Sequence, residues 1–170
     1  MKKAVFFDRD NTIIEDIPYN GDPDKVILMQ GALEAMKHCQ YLGYELIIIT
    51  NQSGVGRGYI SENDMHRVNC KVEGLLQDGG VVVKKFYNCI HSPGDNCACR
   101  KPQPELLLRA ASDLGVSLQN SFMIGDKLSD IEAGYNAGCK LNILISGITT
   151  KCDHCMIVNN IRDIEKIIRS

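Results

Sequence analysis

Short runs of branched and aromatic apolar residues alternate along the chain with segments of helical periodicity, and this alternation restricts the possible folds more than any other feature. The runs are KAVFF (3–7), YELIIIT (44–50), VVVKKFYN (81–88), SFMIGD (121–126) and KLNILI (140–145). Between them lie ALEAMKHCQYLG (32–43), ENDMHRVNCKVEGLLQDGG (62–80), PELLLRAASDLG (104–115) and DIEAGYNAG (130–138), and the tail MIVNNIRDIEKIIRS reads as a last short strand and helix. Strands nearly continuous in apolar residues belong to a parallel sheet covered on both faces. The βαβα rhythm therefore implies an α/β, doubly wound parallel sheet. Gly43, Gly115 and Gly138 each close a helical segment where a left-handed C-terminal cap belongs.

A chain of 170 residues fits one domain, residues 1–170, that buries about 70% of the surface its unfolded form exposes. There is no internal repeat, low-complexity segment or long linker. With 44% apolar residues, 24% charged residues and a net charge of -2, nothing biases the whole surface toward nucleic acid or an anionic membrane. Any phosphate-binding charge must be local. The start, MKKAVFFDRD, is too poor in apolar residues for a secretory signal, and no run approaches the ~18 apolar residues of a membrane span. Eight cysteines without an export signal favour reduced thiols or metal ligands over a disulfide framework. The expected compartment is the cytoplasm and the expected state a monomer.

In an open parallel sheet, ligands bind at the carboxyl ends of the strands, so the polar residues just past each strand carry the functional information. After the first strand comes DRDNT, with Asp8 and Asp10. Carboxylates spaced i, i+2 can supply a nucleophile and a general acid/base, and the first can bind a hard cation; alone they are equally well turn formers. After the second comes TNQSGVGRG, Thr50 to Gly58, whose hydroxyl, amides and glycine-rich turn suit phosphoryl oxygens. Arg100 and Lys101 follow the third strand and its loop, and GDKLSD, with Asp126, follows the fourth. Singly each has an ordinary explanation, as solvated cations or a helix cap. Jointly the order carboxylate pair, threonine, lysine, carboxylate is improbable by chance.

The loop CIHSPGDNCACRKP sets Cys89, His91, Cys97 and Cys99 within eleven residues. Four N/S ligands in a short loop match a closed tetrahedral Zn²⁺ site, and a full complement of protein ligands leaves no open position for catalysis. Spectator thiols or a redox pair are the alternatives. The second cysteine group, Cys152 to Cys155, has no partner pair and reads as structural or incidental. Cys39, Cys70 and Cys139 look like small core residues. His38 and His66 are expected to face solvent or make local hydrogen bonds, and Phe86 and Tyr87 to belong to the core.

In the set DRDNT, ITNQSG, RKP and GDKLSD the sequence resembles the haloacid dehalogenase-like hydrolase superfamily across residues 3–145. The resemblance implies a Rossmann-like fold and an enzyme, a phosphatase. Asp8 would attack phosphorus to form an aspartyl-phosphate, and Asp10 would protonate the leaving oxygen and then deprotonate the hydrolytic water. Thr50 would hold the phosphoryl group and Lys101 neutralise its oxygens. Mg²⁺ would be bound by Asp8, the backbone carbonyl of Asp10, and Asp126. Phosphoryl transfer rests on positioning and charge neutralisation, which Mg²⁺ and Lys101 supply, and two close carboxylates repel when ionised, so that one, taken here as Asp10, can carry a proton near neutral pH. Asn11 stands where the superfamily usually has glycine, and asparagine tolerates left-handed geometry.

Roughly twenty residues separate Thr12 from the next helical segment, too few for a folded domain, so no separate cap is expected. The zinc loop followed by CRKP narrows the resemblance to the branch of the D-glycero-D-manno-heptose 1,7-bisphosphate phosphatases and the histidinol-phosphate phosphatase domain. TNQSG with a following RG, and DKLSD, favour the heptose side. A bisphosphate needs a second anion site, for which Arg100 is the first choice because guanidinium binds phosphate bidentately. Arg57 and Lys127 would assist, Asn51, Gln52 and Ser53 would face the substrate, and Asp16 and Tyr19 would line the sugar side by the resemblance. A polynucleotide 3′-phosphatase should lack the zinc loop and carry more basic surface, which makes a nucleic-acid partner the lesser alternative. A zinc-stabilised binding module without catalysis is a reading of another class.

Overall fold

The structure, a computed structural model, describes residues 2–148 and 151–169. Six strands form one sheet: β1 (Ala4–Phe7), β2 (Glu45–Asn51), β3 (Val83–Cys89), β4 (Phe122–Gly125), β5 (Leu141–Ile145) and β6 (Met156–Val158). Their order is β3-β2-β1-β4-β5-β6, and every neighbouring pair is parallel. The expected doubly wound α/β sheet is present. The chain builds outward from β1 to β3, then returns to the other side of β1 with β4, so the switch in strand order falls between β1 and β4.

Alternation along the strands divides the core in two. Val5 and Phe7 join Leu46, Ile48 and Ile124 on one face, against α1 (Ala32–Tyr41), α3 (Glu62–Asp78) and the tail at Ile161, Ile164 and Ile168. Ala4, Phe6, Ile47, Ile49 and Met123 face the other way, against Leu106, Leu107 and Ala110 of α4 (Glu105–Leu114) and Ala133 and Ala137 of α5 (Leu128–Ala137). A sheet buried on both sides needs apolar residues at consecutive positions, which is why the strands read as unbroken runs. A single helical turn, α2 (Ser53–Gly56), follows β2. The residues between Thr12 and α1 make only a ribbon, pinned where Glu15 N–H donates to Ile27 O (2.9 Å) and Met29 N–H to Ile13 O (2.8 Å), with one 3₁₀ turn at Pro23–Lys25. No separate cap is seen among the described residues.

Gly43, Gly115 and Gly138 all take positive φ at or just past helix ends, and Asn11 lies at φ 58°, in the left-handed region. Three readings change. Cys152 and Cys155 form a disulfide instead of remaining reduced; the C-x-x-C turn brings their Cα atoms to 5.7 Å, within bonding reach. Cys70 is exposed, because the buried face of α3 runs through Met65, Val68, Asn69, Val72 and Leu76 and Cys70 falls off that stripe. His38 makes a long-range contact, its Nε2 lying 2.8 Å from Ile168 O, which ties α1 to the tail. Cys39 and Tyr87 are buried as expected. No helix among the described residues is long and apolar enough to cross a membrane.

Candidate active site

Asp8 and Asp126 are the first residues past β1 and β4, the two strands that flank the switch point. Parallel pairing sets their depth: Phe7 is opposite Ile124, and Asp8 N–H donates to Ile124 O at 2.8 Å. Asp8 is only 5% exposed. Lys101 reaches it from the end of the cysteine loop. Its ammonium, buried at 3% exposure, donates to Asp8 Oδ1 at 2.5 Å and to Ile49 O at 2.8 Å, and lies 2.6 Å from Asp130 Oδ1. Asp130 is almost wholly buried and also accepts from Lys127 N–H at 3.0 Å. It can come this close to the end of β4 because residue 125 is glycine; a Cβ there would collide with the Asp130 carboxylate. Sequence reasoning missed Asp130, although a second acid one helical turn past Asp126 in GDKLSD was the available signal.

Asp8, Asp126 and Asp130 have carboxylate oxygens that all lie within 4.8 Å of one another. When ionised, the three carboxylates outnumber the one ammonium. Burial, then the charge of Asp130, pushes the Asp8 pKa up to about 6, against the pull of Lys101. In the metal-free cluster Asp8 therefore takes up a proton at higher pH than an ordinary carboxylate does. Burial also raises Asp126, partly offset by the hydrogen bond from Asn11 Nδ2 to its Oδ2 (3.0 Å). Asp126 Oδ1 is buried without a hydrogen-bond partner among the described residues. Burial by itself lowers the Lys101 pKa, but Asp8 and Asp130 outweigh it and hold the ammonium charged. An orphaned carboxylate oxygen in a cluster with excess negative charge fits a hard divalent cation.

Asp10 is held by two arms. Arg9 grips it from Nε (3.3 Å) and Nη2 (3.0 Å) to Oδ1 and from Nη2 to Oδ2 (3.2 Å). Gln52 Nε2 donates to Asp10 Oδ2 at 2.7 Å and to Thr50 Oγ1 at 2.8 Å, joining the end of β2 to the acid. Thr50 is fully buried. Arg9, a residue with no role in the sequence reading, is only 2% exposed.

Two adjoining cavities open over these groups. One, of about 240 Å³, is lined by Asp10, Asp16, Tyr19, Asn51, Gln52, Ser53 and Lys127 among others. The second, of about 270 Å³, is lined by Asp8, Asp10, Asn51, Ser53, Arg100, Lys101, Lys127 and Asp130 among others. Arg100 Nη1 is buried with no partner among the described residues. Arg57 is exposed and lines neither cavity. Tyr19, at φ 53°, stacks edge-on against Tyr59 with ring centroids 4.7 Å apart.

The cysteine loop brings four ligand atoms together. Sulfur–sulfur separations among Cys89, Cys97 and Cys99 run 3.1, 3.6 and 3.7 Å, and His91 Nδ1 lies 3.6 Å from Cys89 Sγ and 3.2 Å from Cys99 Sγ. Tetrahedral thiolates at the usual Zn–S distance sit about 3.8 Å apart, so a modest expansion admits the ion. Burial pushes the Cys89 thiol up to about 12, so its thiolate needs a cation to form. Both ends of the loop are sewn to the end of β2: Gln52 N–H donates to Cys89 O (2.7 Å), Gly56 N–H to Ile90 O (2.8 Å), and Asn51 exchanges two hydrogen bonds with the Lys101 backbone (3.1 and 3.2 Å).

A HAD-hydrolase-like family model matches residues 98–164. The D-glycero-beta-D-manno-heptose-1,7-bisphosphate 7-phosphatase of Helicobacter pylori strain J99 is 43% identical over 91% of this chain and 90% of its own. The enzyme of that name from Pasteurella multocida is 36% identical over 99% and 98%. Among solved structures, the D,D-heptose 1,7-bisphosphate phosphatase of B. bronchiseptica, complexed with magnesium and phosphate, superposes with a TM-score of 0.85 at 27% identity, covering 98% of this chain and 97% of that one. On this similarity, spanning nearly the full length of each relative, the chain belongs to the haloacid dehalogenase-like hydrolases, in the branch of the heptose-bisphosphate phosphatases.

Proposed function

We propose that the chain is a Mg²⁺-dependent phosphatase that converts D-glycero-D-manno-heptose 1,7-bisphosphate to the 1-phosphate. The observation that carries this reading is the burial of Asp8 against Lys101 in a carboxylate cluster that shares one cavity with Arg100 and Lys127. An Asp8 oxygen attacks the 7-phosphorus in line, and the bond from phosphorus to the sugar oxygen breaks. Asp10 gives that oxygen its proton. The vacated Asp10 then takes a proton from water as the water oxygen attacks phosphorus, releasing inorganic phosphate and restoring Asp8. Lys101 and Thr50 hold the phosphoryl oxygens throughout. Asp8, Asp126 and the Asp10 carbonyl would hold Mg²⁺, which would supply positive charge to offset the developing negative charge.

Arg100, whose unpaired Nη1 can enter a bidentate phosphate contact, is assigned to the retained 1-phosphate, with Lys127. Asp16, Tyr19, Asn51, Gln52 and Ser53 border the sugar; Arg57 is left for an outer contact. Zn²⁺ is assigned to Cys89, His91, Cys97 and Cys99, where it organises the loop and takes no part in chemistry. The test is a steady-state comparison of the α- and β-heptose 1,7-bisphosphates, histidinol phosphate and a 3′-phosphorylated oligonucleotide, with Asp8→Asn as the control that releases no phosphate. The expected order puts a heptose bisphosphate first in kcat/KM. Preference for histidinol phosphate or the oligonucleotide would overturn the substrate assignment.

A further inference from the structure

Arg9 stands between two carboxylates at a strand end, where a cation would ordinarily reach into solvent, yet it is 2% exposed. Its guanidinium is used from both sides. Nε and Nη2 fork onto Asp10, and Nη1 donates to Asn69 Oδ1 at 2.7 Å. Asn69 belongs to the apolar stripe of α3, beside Met65, Val68 and Val72, and is 6% exposed. An amide at such a position costs free energy unless both of its ends are bonded. Both are: Nδ2 donates to Asn88 Oδ1 at 3.0 Å, and Asn88 immediately precedes Cys89 at the root of the cysteine loop. An apolar side chain would fill the stripe without this demand, so the amide has a task that packing does not explain.

We propose that Asn69 is a positioning residue for Asp10, acting through Arg9; this rests on Asp10 being the general acid/base. A guanidinium is planar, and an arginine side chain rotates about several bonds. Fixing Nη1 on Asn69 sets that plane, and the fork on the opposite edge then sets the plane of the Asp10 carboxylate. Gln52 fixes its second oxygen. Proton transfer to the departing sugar oxygen depends on this alignment, whereas the attack by Asp8 does not pass through it. Without Asn69, Arg9 is free to turn, and Asp10 turns with it.

The test exploits the leaving group. In kcat/KM, which reports the steps up to loss of the leaving group, a sugar alkoxide needs a proton from Asp10 and a p-nitrophenolate does not. The variant Asn69→Leu is expected to lower kcat/KM for heptose 1,7-bisphosphate by about ten- to a hundred-fold, and for p-nitrophenyl phosphate by less than about three-fold. Asn69→Ser gives the same comparison if the leucine variant does not fold. Asn69→Asp keeps an acceptor for Arg9 and should return the ratio of the two substrates to near the parent value. Equal losses on both substrates, no loss on either, or failure of Asn69→Asp to restore the ratio would each overturn the proposal. Asp10→Asn, run in parallel, separates the two readings. If it shows the split and Asn69→Leu does not, only the role of Asn69 fails; if it shows no split, the general-acid assignment fails first.

Discussion

Burying an ammonium costs several kcal/mol unless its charge is matched, and Lys101 is matched twice, by Asp8 at 2.5 Å and Asp130 at 2.6 Å. The variant Lys101→Met would leave two buried carboxylates facing each other with no cation. It is expected to cost about 3–5 kcal/mol of stability in metal-free protein, read by urea denaturation, and to abolish phosphate release. Added Mg²⁺ should return part of that stability; a variant as stable as the parent in chelator would show that the pair contributes nothing. The residues of this site differ in how far sequence exposes them. Asp8, Thr50 and Asp126 were legible because each is fixed by a strand end, and strand ends are visible as the close of an apolar run; Lys101, at the far end of the cysteine loop, was legible from its place in the motif order. Arg9 was not: its burial depends on an acceptor sixty residues away, and a lone cation between two acids looks like solvated surface. Asp130 was hidden differently, since its task appears only when Gly125 lets it meet Lys101.

Among the elements, the cysteine loop depends for its order on more than packing. Its middle, from Ser92 to Asn96, contributes no buried residue, and its one short 3₁₀ turn at Pro93–Asp95 is held by local bonds between Ser92 and Asp95. Stability there must come from the ligand cluster and from the seams to Gln52 and Gly56. One Zn²⁺ per chain is therefore expected on metal analysis of protein purified without chelator. Removing it should speed amide exchange from Ile90 to Cys99 and raise KM for a bisphosphate more than it lowers kcat, because the loop carries Arg100 into the cavity. Unchanged exchange after zinc removal would deny the ion its organising role. Helices and strands were readable to within a few residues, as periodicity dictates. The Cys152–Cys155 bond was not readable, because a C-x-x-C spacing permits a disulfide, a metal site or neither, and the choice is made by backbone geometry.

On the scale of the whole molecule, the switch point between β1 and β4 gathers three carboxylates, Asp8, Asp126 and Asp130, against the one ammonium of Lys101. That placement makes metal binding and protonation compete. Asp8, faced by Asp130, Asp10 and Lys101, has its pKa raised to about 6, chiefly by burial, and Asp126 is raised as well. A raised folded-state pKa means the ionised carboxylate is disfavoured in the metal-free fold. The stability these groups contribute is present below the ordinary carboxylate range and is lost as the pH rises through about 6. Mg²⁺ binds the ionised form and reverses this, so its stabilising effect should grow over the same interval. Calorimetric titration with Mg²⁺ between pH 5 and 8 is expected to show affinity nearly level above neutrality. Below pH 6 it should fall by up to about ten-fold per pH unit for each proton displaced, with heat that varies with the ionisation enthalpy of the buffer. An affinity constant across this range, with no proton release, would mean that the cation does not bind Asp8, and the assignment of that carboxylate to both metal and phosphorus would have to be given up.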